Sequence, residues 1–192
     1  MISVVIPTQE SERLLVPTLA ALVPGAMTGL LSEVVVIDAG SKDATEEVAD
    51  IAGCRFIRSE ASLGVRLKQA AVSTRTPWLL FLRPGCVPET GWIQAAERFL
   101  ETTSQLDVAA RAAVFRPPGA ADLMRPAFSE VTALLRVMFG GGARPEQGLL
   151  IARRFYDALG GHPDVADPEA AMLRKLGRRR VVMLGAGART VA

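Results

Sequence analysis

The segment from Glu33 to Thr45 constrains the fold most, because an apolar run is followed directly by an acidic residue and a glycine turn. Its four consecutive β-branched residues, Val34–Ile37, are typical of a strand that is buried on both faces. Such strands occur in parallel sheets that are covered by helices. The segment therefore predicts an α/β fold, with Asp38 at the carboxyl end of a strand and Gly40 in the turn that follows.

Asp38 has two interpretations at this position. Ligands of open α/β sheets bind outside the carboxyl ends of the strands, so the carboxylate is well placed to accept hydrogen bonds from a sugar or a base. Alternatively, Asp38 only stabilises its own turn through a local bond to the backbone. Ser41 or Asp43 is expected to cap the helix that follows.

Three further apolar runs in the first half predict strands at Ser3–Ile6, Cys54–Ile57 and Trp78–Leu82. Pro7 is expected to close the first strand, because proline cannot extend a central strand. The alternation of these strands with helical patterns predicts a doubly wound, mostly parallel sheet with helices on both faces, in a single domain.

The helices of the first half are delimited by proline and glycine. Leucines at helical spacing predict a first helix, which Pro24 and Gly25 are expected to end, and Pro17 fits only in its first turn. A helix is expected at about 62–73, and Pro88 is expected to open the next helix, which carries Trp92.

The second half is less regular. Residues 106–115 are expected as an edge strand, and residues 121–139 have the spacing of an amphipathic helix that packs on the sheet or faces lipid or a second subunit. Further short elements are expected at 147–152 (strand), 154–159 (helix) and 181–184 (strand).

Composition excludes several functional classes. A net charge of +2 is too small to indicate nucleic-acid binding. Cys54 and Cys86 lack the spacing of a zinc site or a disulfide framework. The amino terminus has no signal-peptide pattern, and no apolar window is long enough to span a bilayer. A cytoplasmic protein is expected, with contact to the inner face of the membrane left open.

Five segments together resemble the family 2 glycosyltransferases with the GT-A fold, and the resemblance covers nearly the whole chain. They are Val4–Thr8, Val36–Thr45, Trp78–Leu82, Glu146–Arg154 and Ala158–Gly161. The resemblance implies transfer of a sugar from a nucleotide-diphosphate donor to an acceptor hydroxyl. It also implies a nucleotide-binding half, 1–105, and an acceptor-side half, 106–192, which contributes Glu146 and Gln147. The resemblance does not identify the acceptor, and lipid-linked and phosphorylated compounds are both candidates. It also leaves open whether the chain forms a homodimer.

The resemblance implies the following donor contacts. Pro7 and Thr8 line the nucleotide pocket, and Asp38 contacts the base or ribose, with Ser41 and Asp43 shaping the turn behind it. Glu10 stands where the family usually has asparagine. The helix facing the diphosphate begins with Gly64, Arg66 and Lys68, whose cations suit phosphate oxygens. The alternative for Arg66 and Lys68 is an exposed basic helix face.

The chain departs from the family after the fourth strand. The family places an Asp-x-Asp motif there to hold Mg²⁺ or Mn²⁺, whereas this chain has Arg83-Pro84-Gly85-Cys86. No metal site is expected from these side chains, because hard cations need oxygen ligands. Either Arg83 replaces the charge of the metal against the leaving diphosphate, or the chain is a catalytically inactive nucleotide-sugar binding or partner module.

The resemblance places the general base in an acidic segment before a basic helix, where Asp167 and Glu169 are candidates and Glu169 is the better match. Both are also ordinary helix-start residues. His162, the single histidine, is expected to be a solvated side chain in a turn. A basic cluster near the carboxyl end either meets anionic lipid or a phosphorylated acceptor, or is a solvated helix end: Arg174, Lys175, Arg178, Arg179 and Arg180.

Overall fold

A computed structural model gives the structure of the chain and describes residues 1–105, 110–117 and 143–191. Its strands alternate with helices in the first half, which confirms the predicted single-domain α/β fold. The helix expected at 121–139 lies outside the described residues, as does the first part of the strand expected at 106–115.

Eight strands and six helices are described. The strands are β1 Ile2–Thr8, β2 Leu31–Asp38, β3 Arg55–Arg58, β4 Trp78–Phe81, β5 Cys86–Pro88, β6 Ala112–Arg116, β7 Leu149–Ala152 and β8 Val181–Thr190. The helices are α1 Glu12–Met27, α2 Thr45–Ile51, α3 Leu63–Ser73, α4 Trp92–Gln105, α5 Arg153–Ala158 and α6 Pro168–Leu176. None of these helices combines the length and apolar character needed to cross a bilayer.

The strands form one sheet in the order β3-β2-β1-β4-β7-β6-β8-β5. The pairs β3–β2, β2–β1, β1–β4 and β6–β8 are parallel, whereas β7 runs antiparallel to both of its neighbours and β5 is antiparallel to β8. The prediction of a mostly parallel sheet flanked by helices is therefore confirmed.

The apolar run of β2 forms the centre of the core. Val35, Val36 and Ile37 have no exposed surface, and the facing residues of β1 are also buried. Thr8 lies opposite Asp38 at the last position of the β1–β2 register. Both strands therefore end at the same edge of the sheet, as the sequence predicted for Asp38.

Pro7 does not close β1, which continues to Thr8. Val5 turns its carbonyl toward β4, where it accepts from Leu82 N at 3.0 Å. Pro7, two residues later, turns its backbone the same way, but β4 pairs with β1 only as far as Val5. The sheet therefore loses no hydrogen bond through the missing N–H of Pro7.

Helix α1 continues through Pro17 and Pro24, where the sequence predicted a first-turn proline and a helix end. A tertiary contact holds the last turn, because Trp92 Nε1 donates to the carbonyl of Ala21 at 3.1 Å. A Cβ on Gly25 would lie 2.6 Å from the Trp92 ring. Because Gly25 has no side chain, the Trp92 ring can pack against the helix at this point. This packing outweighs the tendency of Pro24 and Gly25 to end the helix.

Two expectations were wrong for the strands that pair with β8, which are β6 and β5. The strand in 106–115 appears as β6 and lies between β7 and β8, not at an edge. Pro88 ends the short strand β5 and does not open a helix. Val87 pairs with Arg189 near the end of β8, which is much longer than the predicted strand 181–184. The pairing with β8 determines both features, and it joins segments about a hundred residues apart in the chain.

Candidate functional site

The carboxyl ends of β1, β2 and β4 lie side by side, because these three strands are parallel neighbours. This edge therefore presents Thr8, Asp38 and, just after β4, Arg83. In open α/β sheets such an edge is the usual place for a ligand. The predicted nucleotide residues of the first two strands and the arginine that replaces the metal motif are thus brought to one edge.

The Asp38 carboxylate organises the turn after β2. Its Oδ1 accepts from the hydroxyls of Thr8 at 2.8 Å and Ser41 at 2.5 Å. Its Oδ2 accepts from the backbone N–H groups of Gly40 at 2.8 Å and Ser41 at 2.6 Å. Only 1% of Asp38 is exposed, so its carboxylate is satisfied by the protein itself. These contacts agree with the interpretation that Asp38 stabilises its own turn.

The same contacts keep Asp38 ionised. Burial alone would raise the pKa of this carboxyl, but the hydrogen bonds from Ser41, Thr8 and Gly40 outweigh it and hold the pKa below its usual value. The edge therefore carries a buried, fully hydrogen-bonded negative charge.

The loop after β1 is joined to the loop after β2. Glu10 N donates to the Ser41 hydroxyl at 2.7 Å, and Lys42 N donates to the Glu10 carboxylate at 2.8 Å. Glu10 adopts a φ of +48°, which is uncommon for a residue with a side chain. The two reciprocal bonds hold this conformation, so Glu10 fixes the distance between the loops.

A second pair of bonds continues this junction at the helix starts. The Asp43 carboxylate accepts from Glu12 N at 3.0 Å and from Thr45 N at 3.1 Å. Ser11 N donates to the Thr45 hydroxyl at 2.9 Å. Sequence reasoning missed Ser11, Glu12 and Thr45; the signal for them is the run of short polar residues in both loops.

Arg66 points into the protein. Only 7% of the residue is exposed, and its Nη1 donates to the carbonyls of Thr8 at 3.0 Å and Ile37 at 3.2 Å. Its Nε is buried and has no hydrogen-bond partner among the described residues. Arg66 therefore links the carboxyl ends of β1 and β2 and is not part of an exposed basic helix face.

The amino end of α3 is covered. A Cβ on Gly64 would overlap the carbonyl oxygen of Pro163 and lie 2.9 Å from its carbon. Lys68, one turn later, is exposed and lines an open cleft of about 600 Å³. The opposite wall of this cleft is the segment from Gly160 to Asp164 together with Lys175. Gly64, Arg66 and Lys68 thus lie in three different environments.

Arg83 is held by carboxylates from the second half of the chain. Its Nε and Nη2 donate to Oε2 of Glu169 at 2.7 and 2.5 Å, and its Nη1 donates to Glu146 at 3.3 Å. The Arg83 side chain is 37% exposed, whereas that of Glu169 is only 10% exposed. The candidate for the leaving-group cation and the candidate for the base are therefore in direct contact.

The pKa shifts follow from this contact. Burial raises the pKa of Glu169, and the hydrogen bonds and charge of Arg83 oppose that rise without cancelling it. Burial lowers the pKa of Arg83, but Glu169, Glu146 and Asp167 outweigh it and raise that pKa. Arg83 is thus a permanent cation surrounded by three carboxylates.

Asp167 caps α6, since its Oδ1 accepts from Ala170 N at 3.0 Å. The residue is exposed, unlike Glu169 two positions later. Gln147 is buried between other segments, where its side chain accepts from Arg144 N and donates to the Phe115 carbonyl, both at 2.7 Å. Gln147 therefore has a structural role next to Glu146.

The residues present do not fit the divalent metal that the resemblance implies. The segment Arg83–Cys86 contains no carboxylate, and the side chain at its start is itself a cation. Among the described residues, no group of three or more His, Cys, Asp or Glu side chains is arranged to hold a metal ion. The carboxylates near Arg83 bind the guanidinium instead.

His162 is not solvated, contrary to the expectation from the sequence. It is 3% exposed, its Nδ1 lies 2.9 Å from the hydroxyl of Tyr156, and its ring packs edge-on against Phe81. Burial lowers the pKa of His162 to about 4, so the ring is neutral. The glycine-rich turn around it gave no sign of this packing, because the partners come from β4 and α5.

Cys86 is buried behind the same edge. Only 2% of the residue is exposed, and burial raises its pKa to about 12. The thiolate that a nucleophile requires is therefore absent at neutral pH.

Comparison with known proteins identifies relatives of this fold. The family model described as Glycosyl transferase family 2 matches residues 3–157. No curated protein sequence matches the chain significantly.

Among the solved structures that are similar to the chain are those of two proteins. One is glucosyl-3-phosphoglycerate synthase from Mycobacterium tuberculosis, in complex with Mn²⁺, UDP and glucosyl-3-phosphoglycerate. It is 20% identical, with a TM-score of 0.68, and the match covers 100% of this chain and 72% of that chain. Another is S. aureus TarS in complex with UDP, which is 17% identical with a TM-score of 0.72. That match covers 100% of this chain and 60% of that chain, which is TarS 1–349, and at these identities the likeness shows the fold.

Proposed function

The chain belongs to glycosyl transferase family 2 and is a glycosyltransferase, and we propose that it moves a sugar from a nucleotide-diphosphate donor to an acceptor hydroxyl. The observation that carries this proposal is the carboxyl edge of the sheet, where the ends of β1 and β2 are joined around Asp38 and Arg83 follows β4. A nucleoside needs a pocket of fixed shape, which the joined ends of β1 and β2 offer. A diphosphate needs a cation next to that pocket, which Arg83 offers.

The nucleoside occupies the β1–β2 side in this proposal. Pro7 and Thr8 line the pocket, and Glu10, Ser41 and Asp43 hold the two loops at a fixed distance. Both oxygens of Asp38 already accept two hydrogen bonds each, so Asp38 meets the base or ribose only by exchanging a hydroxyl partner. Its first contribution is to shape the pocket.

Arg83 provides the cation for the diphosphate in this proposal. A guanidinium can bind two phosphate oxygens at once, and this one lies at the end of β4, where the family places its metal motif. Lys68 lies on the exposed side of α3 and adds a second positive charge. Arg66, which is buried and bound to the strand ends, and Gly64, which is covered by Pro163, support the pocket from behind.

The reaction step follows from these roles. The acceptor hydroxyl oxygen forms a bond to the anomeric carbon, and the bond from that carbon to the phosphate oxygen breaks. The nucleoside diphosphate leaves with the electron pair, and the hydroxyl proton passes to a carboxylate. Glu169 is the proposed base, since its side chain lies at this edge of the sheet and burial raises its pKa, which makes it a stronger proton acceptor. Asp167 is the alternative base.

The acceptor is proposed to bind to the second half of the chain, where Glu146 and Glu169 face Arg83. The basic cluster of Arg174, Lys175 and Arg178–Arg180 begins in the last turn of α6, about 7.5 Å of helix rise from Glu169. A basic cluster at this distance suits an acceptor that carries phosphate, whether it is lipid-linked or free.

Calorimetric titration with UDP, and with a panel of nucleotide sugars, tests this proposal. Binding is expected to be the same with Mn²⁺ and with chelator, because Arg83 and not a metal meets the diphosphate. R83A is expected to weaken binding by about tenfold or more, the loss of a bidentate charged contact.

The matched control is R98A, since Arg98 lies on α4 and, among the described residues, its side chain bonds only to the carbonyl of Gln94 in its own helix. A strict requirement for Mn²⁺ would contradict the role of Arg83. If no nucleotide or nucleotide sugar bound at all, the proposed function would be wrong.

A further inference from the structure

The Arg83 guanidinium is already occupied by the residue proposed as the base. Two of its nitrogens donate to the same oxygen, Oε2 of Glu169, at 2.7 and 2.5 Å. The cation stabilises the ionised form of a carboxylate held in this way, so Glu169 accepts a proton less readily than it would without Arg83. Nor can an arginine that is bound to carboxylates offer the same nitrogens to a diphosphate.

We propose that the Arg83–Glu169 ion pair is a latch that the donor opens: the diphosphate takes the guanidinium of Arg83, and the Glu169 carboxylate is thereby released to accept the proton of the acceptor hydroxyl. This inference rests on the proposed function. It makes Glu169 a competitor of the diphosphate for Arg83 before it is a base.

The charges and exposures favour this exchange. A nucleoside diphosphate carries at least two negative charges and several oxygens, whereas Glu169 offers one charge and, in this structure, one oxygen to Arg83. The Arg83 side chain is 37% exposed and so has room to turn, but the Glu169 side chain, at 10%, stays in place. The moving partner is therefore the arginine.

Glu146 keeps Arg83 near the edge during the exchange. It binds the third nitrogen at 3.3 Å, and its side chain is 50% exposed. A contact of this length and exposure is weak, so it guides the guanidinium without competing strongly for it.

Release also changes Glu169. Once Arg83 has moved, the carboxylate remains buried without its cation, and the burial that raises its pKa acts unopposed by Arg83. The base therefore becomes effective only when a donor is bound. In the absence of donor, the negative charge of Glu169 is balanced by the guanidinium of Arg83.

Titration of the wild type and E169Q with UDP and with inorganic pyrophosphate, both in chelator, tests the latch. Glutamine keeps the shape of the side chain but removes its charge, so E169Q is expected to bind both ligands more tightly, by about tenfold. Its turnover is expected to fall, because the base is lost. A residue with a merely structural role would not raise affinity while lowering turnover.

Two further variants test whether the gain in affinity comes from the release of Arg83. In the R83A background the gain from E169Q is expected to vanish, since no guanidinium is left to release. E146Q is expected to give a smaller gain, in line with its longer and more exposed contact. If E169Q does not fold, E169D takes its place; it keeps the charge but withdraws the carboxylate by one methylene, and an intermediate gain is expected.

The outcomes distinguish a failure of the latch from a failure of the proposed function on which it rests. Tighter binding by E169Q, or binding by E169Q alone, supports the latch. If the wild type binds UDP and E169Q binds it equally or more weakly, the latch is wrong and the proposed function stands. If neither protein binds UDP or any member of the panel of nucleotide sugars, the proposed function fails and the latch fails with it.

Discussion

Thr8 and Asp38 face each other at the last position of the β1–β2 register, and the Thr8 hydroxyl donates to Asp38 Oδ1 at 2.8 Å. The carbonyl of the same threonine accepts from Arg66 Nη1 at 3.0 Å. Thr8 therefore connects a buried anion, Asp38, with a buried cation, Arg66. The proposed nucleoside pocket is built on this connection, which is complete without a ligand.

The first prediction concerns Asp38 itself. D38A removes the acceptor of four hydrogen bonds and leaves the N–H groups of Gly40 and Ser41 without their partner. We expect the free energy of unfolding to fall by about 3 kcal/mol, because four hydrogen bonds to a buried carboxylate are lost. Urea denaturation followed by circular dichroism measures this change.

The control for D38A is D50A, because Asp50 is an exposed aspartate on α2. Its substitution is expected to change the free energy of unfolding by no more than about 0.5 kcal/mol. Equal losses in the two variants would mean that the Asp38 network does not stabilise the turn.

The second prediction concerns the contact between α3 and the turn before α6. G64A places a Cβ against the backbone carbonyl of Pro163, which has no flexible end to move aside. We expect a loss of about 2 kcal/mol or more in the free energy of unfolding, together with weaker UDP binding, because Gly64 and Pro163 must separate.

G185A is the matched control, since a Cβ on Gly185 would lie 3.8 Å from the nearest atom, an ordinary contact with Ala95. It is expected to bind UDP as the wild type does. If G64A were as stable as G185A, the contact between the two segments would be looser than the structure indicates.

The centre of the sheet could be predicted because its signal is local. Val34–Ile37 are adjacent in the chain, and an apolar run that ends at Asp38 and Gly40 determines a strand, its end and its turn together. The same locality explains the failures at Pro7 and Pro24. Proline rules describe an isolated strand or helix, whereas here the pairing of β4 and the packing of Trp92 decided the outcome.

The Arg83–Glu169 pair could not be predicted from a local pattern, because 86 residues separate its members. The sequence placed Arg83 at a strand end and Glu169 at a helix start, and it assigned them to separate roles. Their contact depends on how the second half of the chain folds over the first. The burial of Arg66 and His162 was missed for the same reason, since their partners lie in other elements.

The third prediction concerns pH and His162. Burial lowers the pKa of His162 from 6.5 to about 4, so between these values the unfolded chain binds a proton that the folded chain does not. Stability therefore falls as the pH falls through this range and is fully present above pH 6.5. The difference in pKa corresponds to about 3 kcal/mol between the two ends of the range.

Thermal unfolding of the wild type and H162Q at a series of pH values between 4 and 7 measures this effect. His162 is the only histidine, so H162Q removes the one histidine that titrates in the range. Glu169 acts in the opposite sense, because burial raises its pKa in the folded state, but it is present in both proteins and cancels in the difference. H162Q removes the ring nitrogen that lies 2.9 Å from the Tyr156 hydroxyl and is expected to be less stable at pH 7, yet its stability is expected to depend less on pH. If the two proteins lost stability in parallel on acidification, His162 would not be the buried neutral group that the structure shows, and the wall it forms with Phe81 and Tyr156 would be open to water.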